Sequence, residues 1–354
     1  MKNALSQDRA RNAKSFMLHQ WLTVSRIGWF VSLVGLSYLG VRLLCEGPAF
    51  FDTLRAAYHA VLPLAMRKPL WDTREYIWNI TTTAYLNPWN YALLLCVFVL
   101  ERVIPARKEQ GVFSAGLFQD FIWSNADGLF RMIWLPLFIG FLKSVYDAHF
   151  SFLTVRPMEL LPMAGRVVVA FLAYDFLNWF HHMVRHRVQV LWYFHMIHHS
   201  QRQMNFFTDA RVHIVEYLAS KTLIFIPLFM FQIDVNRVFW LAIATHWYTR
   251  IYHANLRTNY GIFKHVLVSP QSHRIHHSID RRHWEKNFGV FFTVWDRMFG
   301  TLYAHYEEYP DTGIEDDRLP IEQTVAGLSL LPNYVAQLLY PFRLILSRKP
   351  QSAS

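Results

Sequence analysis

The stretch LWYFHMIHHSQRQMNFF, residues 191–207, sets His195, His198 and His199 within five positions and contains no carboxylate. The same H-x-x-H-H spacing returns at His273, His276 and His277, and His182 and His186 stand four apart. On a helix, positions i, i+3 and i+4 share one face, about 5–6 Å apart at Cβ, so several imidazoles can converge on one point. Packed rings repel one another once protonated and leave ring nitrogens unsatisfied, and a bound cation removes both costs. Eight such donors exceed the four that a structural zinc takes. Two ions, each with an open position, fit the count better. Imidazole suits iron, zinc, copper or nickel, so the donor type does not name the metal.

Carboxylates stand nearby. Asp175 lies seven residues before His182, two helical turns along one face, and Asp209 and Glu216 flank His213. Each is read as an acceptor for the second ring nitrogen of a ligand, with pairing elsewhere in a helical bundle as the alternative for Asp175. The solitary His19, His59, His149, His265, His283 and His305 are read as interfacial or hydrogen-bonded residues. Cys45 and Cys96 are the only cysteines and offer neither a disulfide framework nor a thiolate site.

The elements that must position these residues are apolar. The chain of 354 residues is 53% hydrophobic and 17% aromatic, with its apolar residues in blocks rather than in an amphipathic scatter. That pattern predicts an all-α integral membrane bundle with a histidine-rich cap. Spans are predicted near 18–44, 88–104, 129–148 and 165–184, with two shorter arms at 217–233 and 238–252 joined by DVNR, and a weaker apolar stretch at 328–346. The basic N-terminus precedes an apolar run that carries Arg26 and no cleavage pattern, which reads as a retained anchor. Counting from a cytoplasmic N-terminus, the positive-inside rule places Arg102, Arg107 and Lys108 inside and brings both histidine regions to the cytoplasmic face. Three segments are expected: an anchor and connecting loop at 1–87, a catalytic domain at 88–305, and a polar tail at 306–354. The net charge of +10 is dispersed rather than gathered in a stripe, which points to anionic headgroups and not to nucleic acid.

YDFLNWFHHMVRH, then LWYFHMIHHS, NFFTDARVHIVE, HANLRTNYG and SPQSHRIHHSIDRRHWEKNFGVFFTVWDRMFGTLY occur in that order over about residues 170–304. Their order and spacing resemble the sterol desaturase and fatty acid hydroxylase superfamily, and FVLERVIPARK and YPDTGIEDDRLPIEQ resemble its bacterial members. The resemblance implies a membrane enzyme with a histidine-ligated di-iron centre that uses O2 and reducing equivalents on a lipid C–H bond. Zinc would be able to replace iron in a purified form. It implies ligation by His182, His186, His195, His198, His199, His273, His276 and His277, with His253 supplied between the last two boxes. His213 matches a position that is usually histidine in bacterial members and is favoured as a near-site residue over His246. Met183 stands where arginine often follows the first histidine, and Asn287 belongs to an NFG element that either shapes the site or makes a structural turn.

The chain holds no G-x-G-x-x-G element and no cysteine set for an iron–sulfur cluster, so electrons would come from a separate reductase, ferredoxin or cytochrome b5-like carrier. Arg281 and Arg282 offer docking ground for such a donor or for lipid headgroups. The favoured reading is a lipid hydroxylase in the bacterial inner membrane. A lipid desaturase or an ether-lipid monooxygenase would use the same ligands. A membrane metal-binding or transport protein is the non-enzymatic alternative, and a purely structural histidine site is a third.

Overall fold

The computed structural model describes residues 88–111, 113–233, 239–320 and 330–347, and positions 31, 32, 34 and 35. The expected span at 18–44 and the DVNR turn therefore lie almost wholly outside the described residues.

Helix α1, Pro88–Val103, opens on a proline whose missing N–H is one of the donors a first turn leaves unbonded. Helix α2, Ala115–Val145, is capped by Ser114, whose hydroxyl accepts from the Leu117 N–H at 3.1 Å. It begins well before the predicted 129–148 because this cap and the buried Leu117, Phe118, Phe121 and Trp123 extend its packed face. Helix α3, Met163–Arg187, breaks at Val188, whose extended backbone turns the chain straight into α4, Gln189–His199. Helices α5, Ile214–Met230, and α6, Phe239–His253, are the two arms. The short α7, Pro270–His276, starts with a reciprocal capping box between Ser269 and Ser272. The short α8 spans Val294–Met298, and α9 spans Leu330–Ser347.

Among the described residues the fold is all-helical, with no named strand and three isolated bridges, Pro105 with Leu256, Leu267 with Phe292 and Ser278 with Thr312. Helix α3 packs along α4 and α5, α7 lies on α6, and α9 covers α2 and α4. Trp123, Trp192, Met196, Ile197, Tyr340 and Leu344 fill the space between α2, α4 and α9. Burying this much aromatic surface holds the histidine face of α4 inward. Among the described residues one helix, α3, is long and apolar enough to cross a membrane by length and composition.

Candidate metal centre

Nine histidines converge as two adjoining groups of buried rings. His182, His186, His195, His199 and His276 form one, and His198, His253, His273 and His277 the other, with the nitrogens of each group within 4.8 Å of one another. The H-x-x-H-H spacing explains the division. On α4, His195 and His199 share a face, with ring centroids 4.7 Å apart, and turn to the first group, while His198 turns to the second. The box at 273–277 does the reverse: His273 and His277, also 4.7 Å apart, serve the second group and His276 serves the first. The groups meet where the His199 and His277 rings stack at 4.2 Å.

Hydrogen bonds fix which nitrogen of several rings faces inward. The Nδ1–H of His182 donates to the Phe288 carbonyl at 2.9 Å, that of His276 to the Lys286 carbonyl at 2.9 Å, and that of His253 to the Thr249 carbonyl at 2.7 Å. His195 Nδ1–H donates to the Glu216 carboxylate at 2.9 Å. A carbonyl or carboxylate can only accept, so Nδ1 holds the proton in each case and Nε2 presents a lone pair. His182 and His195 then aim two lone pairs at one another, Nε2 to Nε2, at 3.1 Å. Nε2 of His276 is buried with no hydrogen-bond partner. Uncompensated lone pairs in a dry interior are costly, and a cation between them satisfies all of them. The donor set fits two metal ions.

Burial pushes the His195, His198, His199, His273 and His277 rings well below their ordinary range, with neighbouring positive groups adding to it, and pushes His276 down to about 3. The rings are therefore neutral, the state a metal ligand requires.

The carboxylates fall differently from one another. Glu216, 4% exposed, is a partner of His195 and is itself ion-paired to Arg185. Asp175 is not: it accepts from the Phe291 and Phe292 N–H groups at 2.9 and 3.2 Å and from Trp295 Nε1 at 2.8 Å. The second nitrogen of His182 is already taken by Phe288, so two helical turns bring Asp175 to the loop behind the site instead. Asp209 pairs with Arg250 at 3.3 Å, with His246 Nδ1 at 3.8 Å. His246 lies outside both groups, as does His213. His213 is the N-cap of α5, accepting from the Val215 N–H at 3.1 Å through Nδ1 and donating through Nε2 to the Leu338 carbonyl at 3.0 Å. Both of its nitrogens are thereby committed away from the centre.

Asn287 turns the chain at φ 57°, a conformation that asparagine tolerates. Its amide donates to the Ser272 carbonyl at 3.0 Å and accepts from Tyr303 N–H at 2.8 Å, tying the NFG loop to α7. The fully buried Phe288 then lays its ring against His182, His186 and His276 at 5.1–5.8 Å between centroids. Sequence reasoning passed over two supports. Arg185 carried a signal, lying within the first box, but its partner is 31 positions away. Asp296, which gathers the N–H groups of Phe288 and Gly289, the Trp179 indole and the Thr301 hydroxyl within 2.9 Å, had none.

Known proteins resemble the part of the chain that carries these histidines. Residues 167–301, a range that takes in all nine histidines, match the family described as fatty acid hydroxylase. The chain is 30% identical over 150 residues to the alkylglycerol monooxygenase of Homo sapiens, which covers 39% of this chain and 31% of that protein. It is 26% identical over 142 residues to an ornithine lipid hydroxylase of Rhizobium tropici, covering 40% and 43% respectively. The alkylglycerol monooxygenase of Danio rerio matches at 29% over 143 residues, covering 38% and 30%. The chain thus aligns with less than half the length of each of these relatives. No solved structure shows a significant match. The segment from Val167 to Thr301, which holds every clustered histidine, is similar to the fatty acid hydroxylase family.

Proposed function

We propose that this protein is an O2-dependent membrane monooxygenase that hydroxylates a C–H bond of a lipid at two iron ions held by the two histidine groups. His182, His186, His195, His199 and His276 would hold one ion, and His198, His253, His273 and His277 the other. When bound, the pair would supply activation of O2 and insertion of one oxygen atom into an unactivated C–H bond. The other oxygen atom leaves as water, which takes two protons and two electrons, and a separate reductase, ferredoxin or cytochrome b5-like donor is the source of the electrons.

The observation that carries the reading is the set of buried lone pairs whose opposite nitrogens are tied to Phe288, Lys286, Thr249 and Glu216. The residues of the chain do three things in this scheme. The carbonyls and Glu216 hold each ring in one tautomer, Phe288 and Trp192 close the first group against water, and the Asp175 and Asp296 networks lock the loop that positions them. The relatives named above act on alkylglycerols and ornithine lipids, and a polar lipid with an acyl or alkyl chain is the substrate class proposed here. Desaturation of such a lipid, or cleavage following hydroxylation beside an ether oxygen, would use the same centre.

Residues 88–305 are proposed as the catalytic domain, in a bundle embedded in the bacterial inner membrane with the metal centre on the cytoplasmic side. Support comes from α3 and from the apolar side chains that α1 and α3 leave exposed, among them Trp89, Leu95, Val103, Val168 and Leu172. Water disfavours such surfaces and lipid does not. Accurate-mass lipid profiling of cells carrying the wild type or His276→Ala tests the activity. A lipid with one added oxygen that depends on the wild type supports hydroxylation, loss of two hydrogens supports desaturation, and identical profiles reject the enzyme reading.

A further inference from the structure

Outside the metal centre the structure carries a compact apolar projection. The turn Gly261–His265 exposes Ile262 (78%) and Phe263 (62%), and α8 with the residue after it exposes Met298 (66%) and Phe299 (53%). The two pieces are one unit. Thr293 N–H donates to the Val266 carbonyl at 2.9 Å, Arg297 reaches the His265 carbonyl at 3.4 Å, and Leu267 bridges Phe292. We infer that this lip is seated in the headgroup layer of an anionic lipid bilayer, which rests on the reading of α3 as a membrane-crossing helix.

Two observations identify the occupant. The first is continuity with α3. The Phe299 ring stacks on Trp179 with centroids 4.5 Å apart, beside the exposed Phe180. At 1.5 Å per residue, Trp179 lies about 12 Å along the helix from Arg187, the exposed basic residue that ends α3. A helix whose basic end marks the water boundary brings the lip to roughly the depth where interfacial segments bury apolar side chains. The second is charge. The lip carries Lys264 and the exposed Arg297, and its sole carboxylate, Asp296, is buried and turned inward to Trp179 and Phe288. Apolar tips with a cationic rim suit anionic headgroups, to which lysine and arginine extend while their stems stay in apolar surroundings. The lip runs through Leu267 and Val268 directly into α7, so a lipid gathered there stands next to the element that carries His273 and His276.

The test uses the full chain in vesicles of phosphatidylethanolamine and phosphatidylglycerol, with Cys45→Ser and Cys96→Ser as background. Nitroxide labels are placed singly at Ile262→Cys and Met298→Cys, with Leu172→Cys on α3 as reference. Collision with O2 severalfold above collision with a water-soluble nickel chelate is expected at both lip positions, and Lys264→Glu with Arg297→Glu should reduce that ratio. Higher chelate access at the lip overturns the inference. Low access to both reagents also overturns it, because it marks a protein cover. If Leu172 is lipid-exposed while the lip is wet, the lip alone fails. If Leu172 is wet, the membrane reading fails and takes the inference about the lip with it.

Discussion

Nδ1 of His195 lies 2.9 Å from a carboxylate oxygen of Glu216, so an acidic side chain holds this clustered ring. Arg185 is ion-paired to the same Glu216 oxygen, Oε1, and neutralises the carboxylate that orients the ring. Glu216→Ala should lower metal affinity by about 10- to 100-fold, and Glu216→Gln, which can still accept from Nδ1–H, should recover part of it. Competition with a metal chelator measures both, and unchanged affinity in the alanine variant would remove Glu216 from the site.

His213 and His246 give the opposite prediction. His213→Ala should keep the metal content of the wild type and cost about 1 kcal/mol of stability through loss of the α5 cap, and His246→Ala should likewise retain its metal. His276→Ala should not. Elemental analysis of the three variants beside the wild type checks this, and loss of metal in the His213 variant would return that residue to the centre.

Gly289 sits where a side chain has no room. A Cβ there would meet Asp296 Oδ2, the Phe292 carbonyl and Val268 Cγ2, each at 2.9 Å. Gly289→Ala must therefore move backbone next to Phe288, whose carbonyl holds His182. A destabilisation of about 1–3 kcal/mol is expected, together with reduced metal retention, read by thermal unfolding and elemental analysis of the same preparation. Wild-type values for both would show that the NFG loop is slack.

The metal-free protein should also lose stability in mild acid. An unfolded histidine binds a proton below about pH 6.5, whereas burial pushes the folded His276 down to about 3. The unfolded state thus takes up more protons as pH falls between those values, and each such ring weakens the fold across that window. The apo-protein in detergent should melt at a lower temperature at pH 5.5 than at pH 7.5, and a melting temperature that rises on acidification would contradict neutral buried rings.

The histidines were legible in the sequence because helical spacing is short-range: His195, His198 and His199 share one local element, and the repeat at 273–277 shows the same pattern. Helix α3 and the arms α5 and α6 were legible from apolar blocks for the same reason. What decided the surroundings was long-range. Asp175 stands on the helix that carries His182, yet its partners are more than a hundred residues away at Phe291, Phe292 and Trp295. The resemblance favours His213 as a near-site residue because its motif position is usually histidine, but a backbone N–H two residues on and the Leu338 carbonyl of α9 claim it. Asp296 left no trace in local spacing, since its role exists only once α3, the NFG loop and Thr301 have met.

The most direct measurement is the iron content of the full chain after anaerobic loading with Fe(II) and removal of excess metal, read by elemental analysis against protein concentration. The two histidine groups predict about two irons per chain, falling clearly in His276→Ala and in His273→Ala, which draw on different groups. A wild-type protein that retains no iron, or variants that retain as much as the wild type, would contradict a two-metal centre.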